Sequence, residues 1–502
     1  MRKKLKRIAI GLVILVIVVS AGVLTTLWVL GGGKPNIAVD YVAIFNENAA
    51  AVPEEDRAWQ LYLELVPDLV EFSDWGYRSQ LKDIEPGSER WTNLISLVEK
   101  KQTILDRIRE ASLKPGLGFI STRVNEQNYM IAKGAEPNSR TIFNPSHHSV
   151  FDINLPYLRD LPTMASALSV DSRVALAGGD GERLPMNIRA QLDLSKHSGE
   201  SRSIINQLTE IRIRENAFQD IEWAIRNFPD SFTASDLDSL KTLIAGIDNG
   251  GIYKIDMAVE RNVFYDLAQR IFTDSGNGDG HICKETFRYR RFMEYKDTPA
   301  TDTPIIGRIR VGFFRLFSSS RAEIVSAYDE YFDRIDTRLE RPRRDWNGPP
   351  ASDLYNINFS YDETDGVHDL GLEILSSMTP VFHSIYTMAD SINLRKDATI
   401  VAIALEQYRR TLGDWPGSLD ELVPNFMDSI PADPFDDGPL KYQVGADGPV
   451  IYSIGTDRND DGGRASKYAK NWNTVEKSAE LEKQTPEVYD GDWVVYPAPD
   501  FN

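Results

Sequence analysis

Cysteine and histidine are both scarce in this chain. Cys283 is the only cysteine among 502 residues, so no disulfide can form within the chain. Six histidines are present, and the sequence contains no H-E-x-x-H, G-x-S-x-G, Walker or dinucleotide-binding glycine pattern. The fold must therefore rest on packing alone, and no familiar catalytic motif points to a reaction.

Basic residues are also in deficit. The chain has 56 basic and 75 acidic residues, for a formal charge of −19. Residues 1–34 hold six of the basic residues and none of the acidic ones, which leaves 50 against 75, or −25, for the remainder. Because an acidic surface repels nucleic acid and anionic lipid and attracts divalent cations, we expect no nucleic-acid partner.

One long apolar run lies near the N-terminus. Residues 8–30 are 23 consecutive uncharged and mostly apolar positions. At about 1.5 Å per helical residue, they cross a hydrocarbon core of roughly 30 Å. Five basic residues precede the run, so the positive-inside rule keeps the N-terminus in the cytoplasm. We expect a single-pass anchor in the cytoplasmic (inner) membrane, with the bulk of the chain extracytoplasmic, in the periplasm.

Glycine follows the apolar run. Three glycines at positions 31–33 predict a flexible exit from the membrane, which completes a first segment of residues 1–34. The alternative interpretation is a cleaved signal peptide, with its cleavage site near residues 20–22. The anchor is our leading interpretation because apolar residues continue beyond that site.

Helical periodicity dominates residues 52–394. An apolar stripe predicts a helix over residues 204–228 that Pro229 stops, and Ser235 is the predicted N-cap of the next helix, which Gly246 ends. Further helices are predicted over residues 54–70, 91–112, 252–272, 319–339 and 368–386. We expect a mostly helical extracytoplasmic domain over residues 35–394, built of stacked antiparallel pairs, with a regular solenoid as the alternative.

Two stretches of this domain differ from the rest. Residues 305–317 mix three arginines with three phenylalanines. We expect a core helix with solvated arginines there, and a helix lying on a membrane surface is the alternative. Residues 341–350 are basic and contain proline, which predicts a linker or hinge.

Residues 395–502 read as a separate small module. A helix is predicted over residues 395–411, and Ser418 with Glu421 has the S-x-x-E spacing of a capping box. Strands are predicted over residues 440–444, 450–454 and 493–496. The pattern predicts one helix packed on a small antiparallel sheet, so that the whole chain belongs to the α+β class.

The order of motifs in this module resembles the head of a type II secretion pseudopilin, in particular the major pseudopilin. The shared motifs are WP-x-SLDELVP, DPF, YSIGTD and the final strand in DGDWVVYP. More broadly, with VPEEDRAWQLYLEL and FTDSGNGDGHI, the chain resembles a group of single-pass membrane proteins of planctomycete-type bacteria. The resemblance implies a pilin-like helix-plus-sheet head. It does not extend to the N-terminus, which has no glycine followed by Phe-Thr-Leu-Ile-Glu.

The loop after the second predicted strand carries a calcium-binding pattern. It fits D-x-N-x-D-G with Asp457, Asn459 and Asp461, which places hard oxygen ligands at alternate positions before a glycine. Position twelve is Tyr468 instead of the glutamate of an EF-hand, so we expect Asp490 or Asp492 to complete the coordination shell. The resemblance to pseudopilin heads also implies calcium in this loop. The alternative is a solvated acidic turn.

A second acidic loop has a weaker calcium pattern. Asn277, Asp279 and Gly280 lie in DSGNGDGHI, with Ser275 at the first ligand position and Glu285 one residue short of position twelve. We favour a glycine-rich connector over a calcium site here. His281 and Cys283 lie nearby, but two ligands do not make a transition-metal site.

The leading functional interpretation is a non-catalytic, membrane-anchored envelope protein that mediates protein contacts, linked to secretion or envelope assembly. One alternative is an extracytoplasmic hydrolase with its site in the helical domain and His147 or His148 as base. Adjacent histidines point apart on regular elements, so a polar loop is the plainer interpretation. The other alternative is a divergent subunit of the type II secretion system.

Overall fold

The computed structural model describes residues 2–73, 87–134, 149–150, 153–274, 280–283, 304–345, 382–436, 438–455, 458–465 and 491–497. Several predicted features lie outside these ranges. They are His147 and His148, the ligands Asp457, Asp490, Ser275, Asn277, Asp279 and Glu285, and the helical stretch predicted over residues 368–381. The structure does not test these predictions.

Helix α1 (Arg2–Leu30) contains the predicted anchor. Within the described ranges, it is the one helix long and apolar enough to cross a membrane, with a mean hydropathy of 2.9 over its most apolar 18 residues, none of them buried. The length and composition of α1 are those of a membrane anchor or of a signal sequence. The exit that follows is packed: Gly31 is buried, and the side chain of Gln269 accepts from the amides of Ala38 and Val39.

Short helices open the helical body. They are α2 (Tyr41–Phe45), α3 (Glu47–Ala51), α4 (Trp59–Leu65), α5 (Val70–Ser73), α6 (Glu89–Lys100), α7 (Gln102–Ser112) and α8 (Arg123–Ala132). The helix predicted over residues 54–70 is thus a series of short α and 3-10 turns, and the one predicted over residues 91–112 is split at Lys101. Ser88 begins α6, because its hydroxyl accepts from the Trp91 amide at 3.1 Å.

Three long helices form the centre of the body, namely α9 (Tyr157–Ala177), α10 (Arg183–Gly199) and α11 (Ile204–Asn227). They pack on one another and bury leucine and isoleucine such as Leu168, Leu194 and Ile213. The sequence predicted α11, but not α9 or α10. Both of these helices bury many polar residues, which obscures the apolar stripe that marks a helix.

The second half of the body contains α12 (Ala234–Ala245), α13 (Ala258–Ile271), α14 (Pro304–Arg315) and α15 (Arg321–Leu339). Helix α12 starts two residues earlier than predicted, because Thr233, and not Ser235, forms its capping box, with Asp236. Helices α13 and α15 pack through stacked rings of Phe264 and Tyr328, whose centroids are 3.5 Å apart.

Helix α14 differs from the core helix that we predicted. Val311 and Gly312 are buried, but Ile305, Ile306 and Phe313 are exposed. Its buried side packs on α1. Helix α14 therefore packs one face on α1 and exposes an apolar face on its other side.

The C-terminal head is built on helix α16 (Phe382–Leu412) and a three-stranded antiparallel sheet of β1 (Lys441–Gly445), β2 (Gly448–Ser453) and β3 (Trp493–Tyr496), in the order β1-β2-β3. Ser418 and Glu421 form the predicted capping box. Trp493, Phe435 and Leu405 lie in its core. These features confirm a mixed helix and antiparallel-sheet fold.

The head and the body share helix α16. The helix begins at residue 382 rather than 395, so the predicted domain boundary between residues 394 and 395 falls inside it. Its side chains bond to the body: Arg395 pairs with Glu222 at 3.1 Å, and Arg410 donates to the Phe232 carbonyl at 2.6 Å. The two parts therefore pack as neighbours along one helix.

Candidate functional site

The acidic loop of the head lies between β2 and β3. Residues 458–465 run beside residues 491–492, and the Asp492 amide donates to the Arg464 carbonyl at 2.9 Å. Arg458, Gly462 and Gly463 all have positive φ, at 61°, 67° and 77°. The chain turns back on itself here, as the D-x-N-x-D-G pattern requires.

Asp492 holds this loop together from within. Its Oδ1 accepts from the Asp461 amide at 3.3 Å and its Oδ2 from the Gly463 amide at 2.7 Å. Burial raises the pKa of Asp492 to about 6, and the neighbouring carboxylates of Asp460 and Asp461 add to this effect against the two amide bonds. Burial and mutual repulsion therefore disfavour the ionised carboxylates of this loop, and a nearby cation would stabilise them.

Only one of the two carboxylate oxygens of Asp461 makes a hydrogen bond to a described residue. Its Oδ1 accepts from Arg464 Nη2 at 2.8 Å, whereas its Oδ2 is buried and has no hydrogen-bond partner among the described residues. Asp460 is exposed by comparison, and its Oδ1 accepts from the Tyr452 hydroxyl and the Gly462 amide. A buried carboxylate oxygen without a partner is costly unless a proton or a cation occupies it.

The predicted calcium ligands are thus placed in part. The structure brings Asp461 next to Asp492 and places Asn459 in the same turn, while Asp457 and Asp490 lie outside the described residues. Within the described ranges, no group of three or more His, Cys, Asp or Glu side chains is arranged to hold a metal ion. The donors that are described are hard oxygens, which suit calcium.

Asp433, in the DPF motif, is a site that the sequence did not reveal. Its buried carboxylate accepts from the Ser453 hydroxyl at 2.7 Å and from the amides of Ile454 and Phe435 at 2.9 and 3.0 Å. The motifs DPF and YSIGTD therefore meet in space, and Asp433 fixes the end of β2. With three donors on one carboxylate, this arrangement is structural.

The glycine-rich loop of the body is closed by two short segments. Gly280 must be glycine, because a Cβ there would lie 1.2 Å from the Thr273 carbonyl oxygen. Phe272 and Ile282 form an antiparallel bridge, and the buried Cys283 thiol donates to the Arg270 carbonyl at 3.6 Å. His281 and Cys283 stand on either side of Ile282, and the predicted calcium ligands of this loop lie outside the described residues.

Ionisable groups in the body centre are held by neighbours. Asp171 accepts from Arg109 and Asn187, both at 2.9 Å. His197 lies between the Tyr62 hydroxyl and the Lys114 carbonyl, each 2.8 Å from a ring nitrogen, and burial lowers its pKa to about 4. Both ring nitrogens of this neutral histidine are thus engaged.

An open cleft of about 950 Å³ lies on the body, between α8, the segment before α9, α9 itself and α11. Its apolar lining comes from Tyr129, Met130, Ile153, Leu155, Leu158, Pro162 and Ile205. Ile205 is 55% exposed although it is a large aliphatic side chain. The volume is in the range of sites that hold a ligand or a short peptide segment.

The charge at the mouth of this cleft is positive. Arg159 and Arg212 line it and are exposed. Asp160 pairs with Lys133 at 2.9 Å and also lies 3.9 Å from Arg159, so one carboxylate faces three cations. Pro162 has no N–H, so the Leu158 carbonyl receives no α-helical hydrogen bond from it. An apolar surface and a basic mouth thus lie together. The residues come from separate elements, and no local pattern signals the cleft.

Comparisons of the chain with protein-family models, with curated proteins and with solved structures find no match.

Proposed function

We propose that this protein is a membrane-anchored envelope protein that binds other polypeptides through the cleft on its helical body and uses calcium to stiffen its head. Helix α1 provides the anchor, with the basic N-terminus in the cytoplasm and the remainder on the periplasmic side. The link to secretion or envelope assembly rests on the resemblance of the head to a pseudopilin head.

The cleft is the observation that carries the binding role. Ile205 and Leu158 offer apolar contact, and Arg159 and Arg212 offer positive charge on a chain that is otherwise strongly acidic. Such a surface suits a partner segment that carries apolar side chains flanked by aspartate or glutamate, because apolar burial gives affinity and opposite charge gives orientation.

The calcium role is supported by Asp461 Oδ2, which is buried and has no hydrogen-bond partner among the described residues. Calcium would be held by Asp457, Asn459 and Asp461, with Asp490 or Asp492 completing the shell. The ion would add positive charge to the crowded carboxylates of this loop, where Arg464 pairs with Asp461 alone among the described acids. Because the loop connects β2 to β3, fixing it holds two neighbouring strands together.

Site-specific photocrosslinking in native membranes tests the binding role. A photoreactive residue replaces Ile205 in the full chain, and Ile252, an isoleucine of similar exposure elsewhere on the body, carries it in the control. We expect a discrete adduct with an envelope protein from position 205 and none from position 252. Arg212→Glu should abolish the adduct, because it reverses the charge at the mouth of the cleft.

Two results would contradict the binding role. One is equal crosslinking from positions 205 and 252, which would mean that the cleft is ordinary surface. The other is an adduct that persists at full yield with both Arg159→Glu and Arg212→Glu. Circular dichroism and melting of each variant show whether a lost adduct reflects lost binding or lost folding.

A further inference from the structure

Helix α14 approaches the end of α1 backbone to backbone. A Cβ on Gly31 would lie 1.8 Å from the Arg308 carbonyl oxygen, and a Cβ on Gly312 would lie 1.8 Å from that of Leu27. Only glycine at both positions permits this distance between the helices. The two helices are therefore fitted to each other at the point where α1 ends.

Two arginines of α14 reinforce this contact. The Arg308 guanidinium lies 3.9 Å from the centroid of the Trp28 ring. Arg315 Nη1 donates to the Leu30 carbonyl at 2.8 Å, and Leu30 is the last residue of α1, where carbonyls lack helical donors. Both contacts place α14 at the level of the last turn of α1.

The outer face of α14 and of the turn after it is apolar and open. Its members are Ile305, Ile306, Phe313, Leu316 and Phe317, each between 45% and 62% exposed. The Phe313 and Phe317 rings pack on each other at 5.4 Å. So large a group of exposed apolar side chains is unfavourable in water, at about 25 cal/mol per Å².

We propose that α14 lies in the outer interface of the membrane that α1 crosses and that its apolar face contacts lipid acyl chains. This inference rests on the anchoring role of α1 proposed above. The observation that selects lipid as the occupant is continuity: the exposed face belongs to a helix packed on the membrane-exit turn of α1.

The consequence is a fixed orientation of the body on the membrane. The exit after α1 is fastened to α13 through Gln269, which bonds to Ala38 and Val39, so residues 31–39 do not act as a free tether. With α14 inserted, the body contacts the membrane through both α1 and α14, which fixes its orientation on the membrane.

Spin-label accessibility in vesicles tests this inference. Full-length protein with Cys283→Ala is reconstituted into phosphatidylcholine–phosphatidylglycerol vesicles, and single cysteines carry a nitroxide at Phe313 or Phe317. Cysteine at Val19 is the reference for lipid. Leu113, which is 66% exposed and far from α14 in the sequence, is the reference for an apolar position in water. Collisions with oxygen report lipid, and collisions with a water-soluble nickel chelate report water.

We expect the logarithm of the oxygen-to-nickel ratio to be positive at Phe313, Phe317 and Val19 and negative at Leu113. A positive value at Val19 with a negative value at Phe317 would overturn the inference and leave the anchor intact. Low collision rates with both reagents at Phe317 would also overturn it, since protein would then cover the helix. A negative value at Val19 would remove the anchor itself. If Cys283→Ala lowers the melting temperature, the buried native cysteine is kept, because the label reaches exposed positions first.

Discussion

The head and the helical body each bury a carboxylate with one unsatisfied oxygen, and the two differ in their surroundings. In the body, Glu260 Oε1 accepts from the Ile204 amide at 2.7 Å, whereas Oε2 has no partner among the described residues. In the head, Asp461 pairs through Oδ1 with Arg464 and leaves Oδ2 without one. A buried carboxylate oxygen without a hydrogen-bond partner thus occurs in both parts of the molecule.

The neighbouring charges determine whether a proton or a cation satisfies each unpaired oxygen. Burial raises the pKa of Glu260 to about 8, and the nearby carboxylate of Asp256 adds to the shift, so a proton occupies the free oxygen near neutral pH. Asp461 lies in a loop with Asp460 and Asp492, where several negative charges share one turn. One proton does not neutralise such a group, and a divalent cation does. The difference is therefore one of charge: a proton satisfies Glu260, and we propose calcium only for Asp461, which has two acids beside it.

The largest effect is expected from Glu260→Gln, and it depends on pH. The folded state keeps the Glu260 proton above pH 4.5, where the unfolded chain has lost it, so raising the pH toward about 8 favours unfolding. Wild type should lose up to about 1.4 kcal/mol of stability per pH unit in this window relative to the variant. Urea unfolding in detergent at several pH values measures the difference.

A difference between wild type and Glu260→Gln that does not change with pH would contradict the protonated state of Glu260. The comparison with Asp461 would then fail as well, because both unsatisfied oxygens would need another explanation.

Asp433→Ala should destabilise the head by about 3 kcal/mol. The substitution leaves the Ser453 hydroxyl and the amides of Ile454 and Phe435 without an acceptor in the core. Asp436→Ala is the matched control, since its partly exposed pair with Lys441 should contribute less than about 1 kcal/mol. Thermal melting of the full chain in detergent compares them. Equal losses would mean that the satisfied carboxylate does not fix the end of β2.

Arg464→Ala has the smallest expected effect on stability, and it separates a calcium ligand from a structural acid. The Arg464–Asp461 pair is partly exposed, so without calcium its loss should cost only about 0.5 kcal/mol. Calcium affinity should rise, because the arginine competes for the same carboxylate. Calorimetric titration measures this, and an unchanged or lower affinity would argue that Asp461 does not bind the ion.

The head was largely predictable from the sequence because its signals are local. The capping box of Ser418 and Glu421, the turn at Gly445–Gly448 and the short runs that form the strands each lie within a few residues. The start of α16 was not predictable, because the helix is buried on several sides by body and head and so lacks a single apolar stripe.

The body and the candidate sites were harder to predict because their contacts join distant residues. Helices α9 and α10 bury polar side chains that satisfy one another across helices, as Asp171 and Asn187 do, and a sequence pattern does not show such pairs. The cleft likewise joins residues 129–133, 153–166 and 205–212. For the acidic loop, the pattern predicts Asp461 as a ligand and leaves Asp490 or Asp492 to complete the shell, but it does not show that Asp492 accepts from two backbone amides of the loop.

Calcium binding to the full-length protein tests the difference between the two carboxylates most directly. Melting is followed with excess calcium and with chelator in wild type, in Asp461→Asn and in the control Asp460→Asn, which changes an acid of the same turn outside the ligand pattern. Calcium at about 100 times its dissociation constant should stabilise wild type and Asp460→Asn by about 2.7 kcal/mol, and Asp461→Asn much less. Equal melting of wild type with calcium and with chelator would contradict the calcium site.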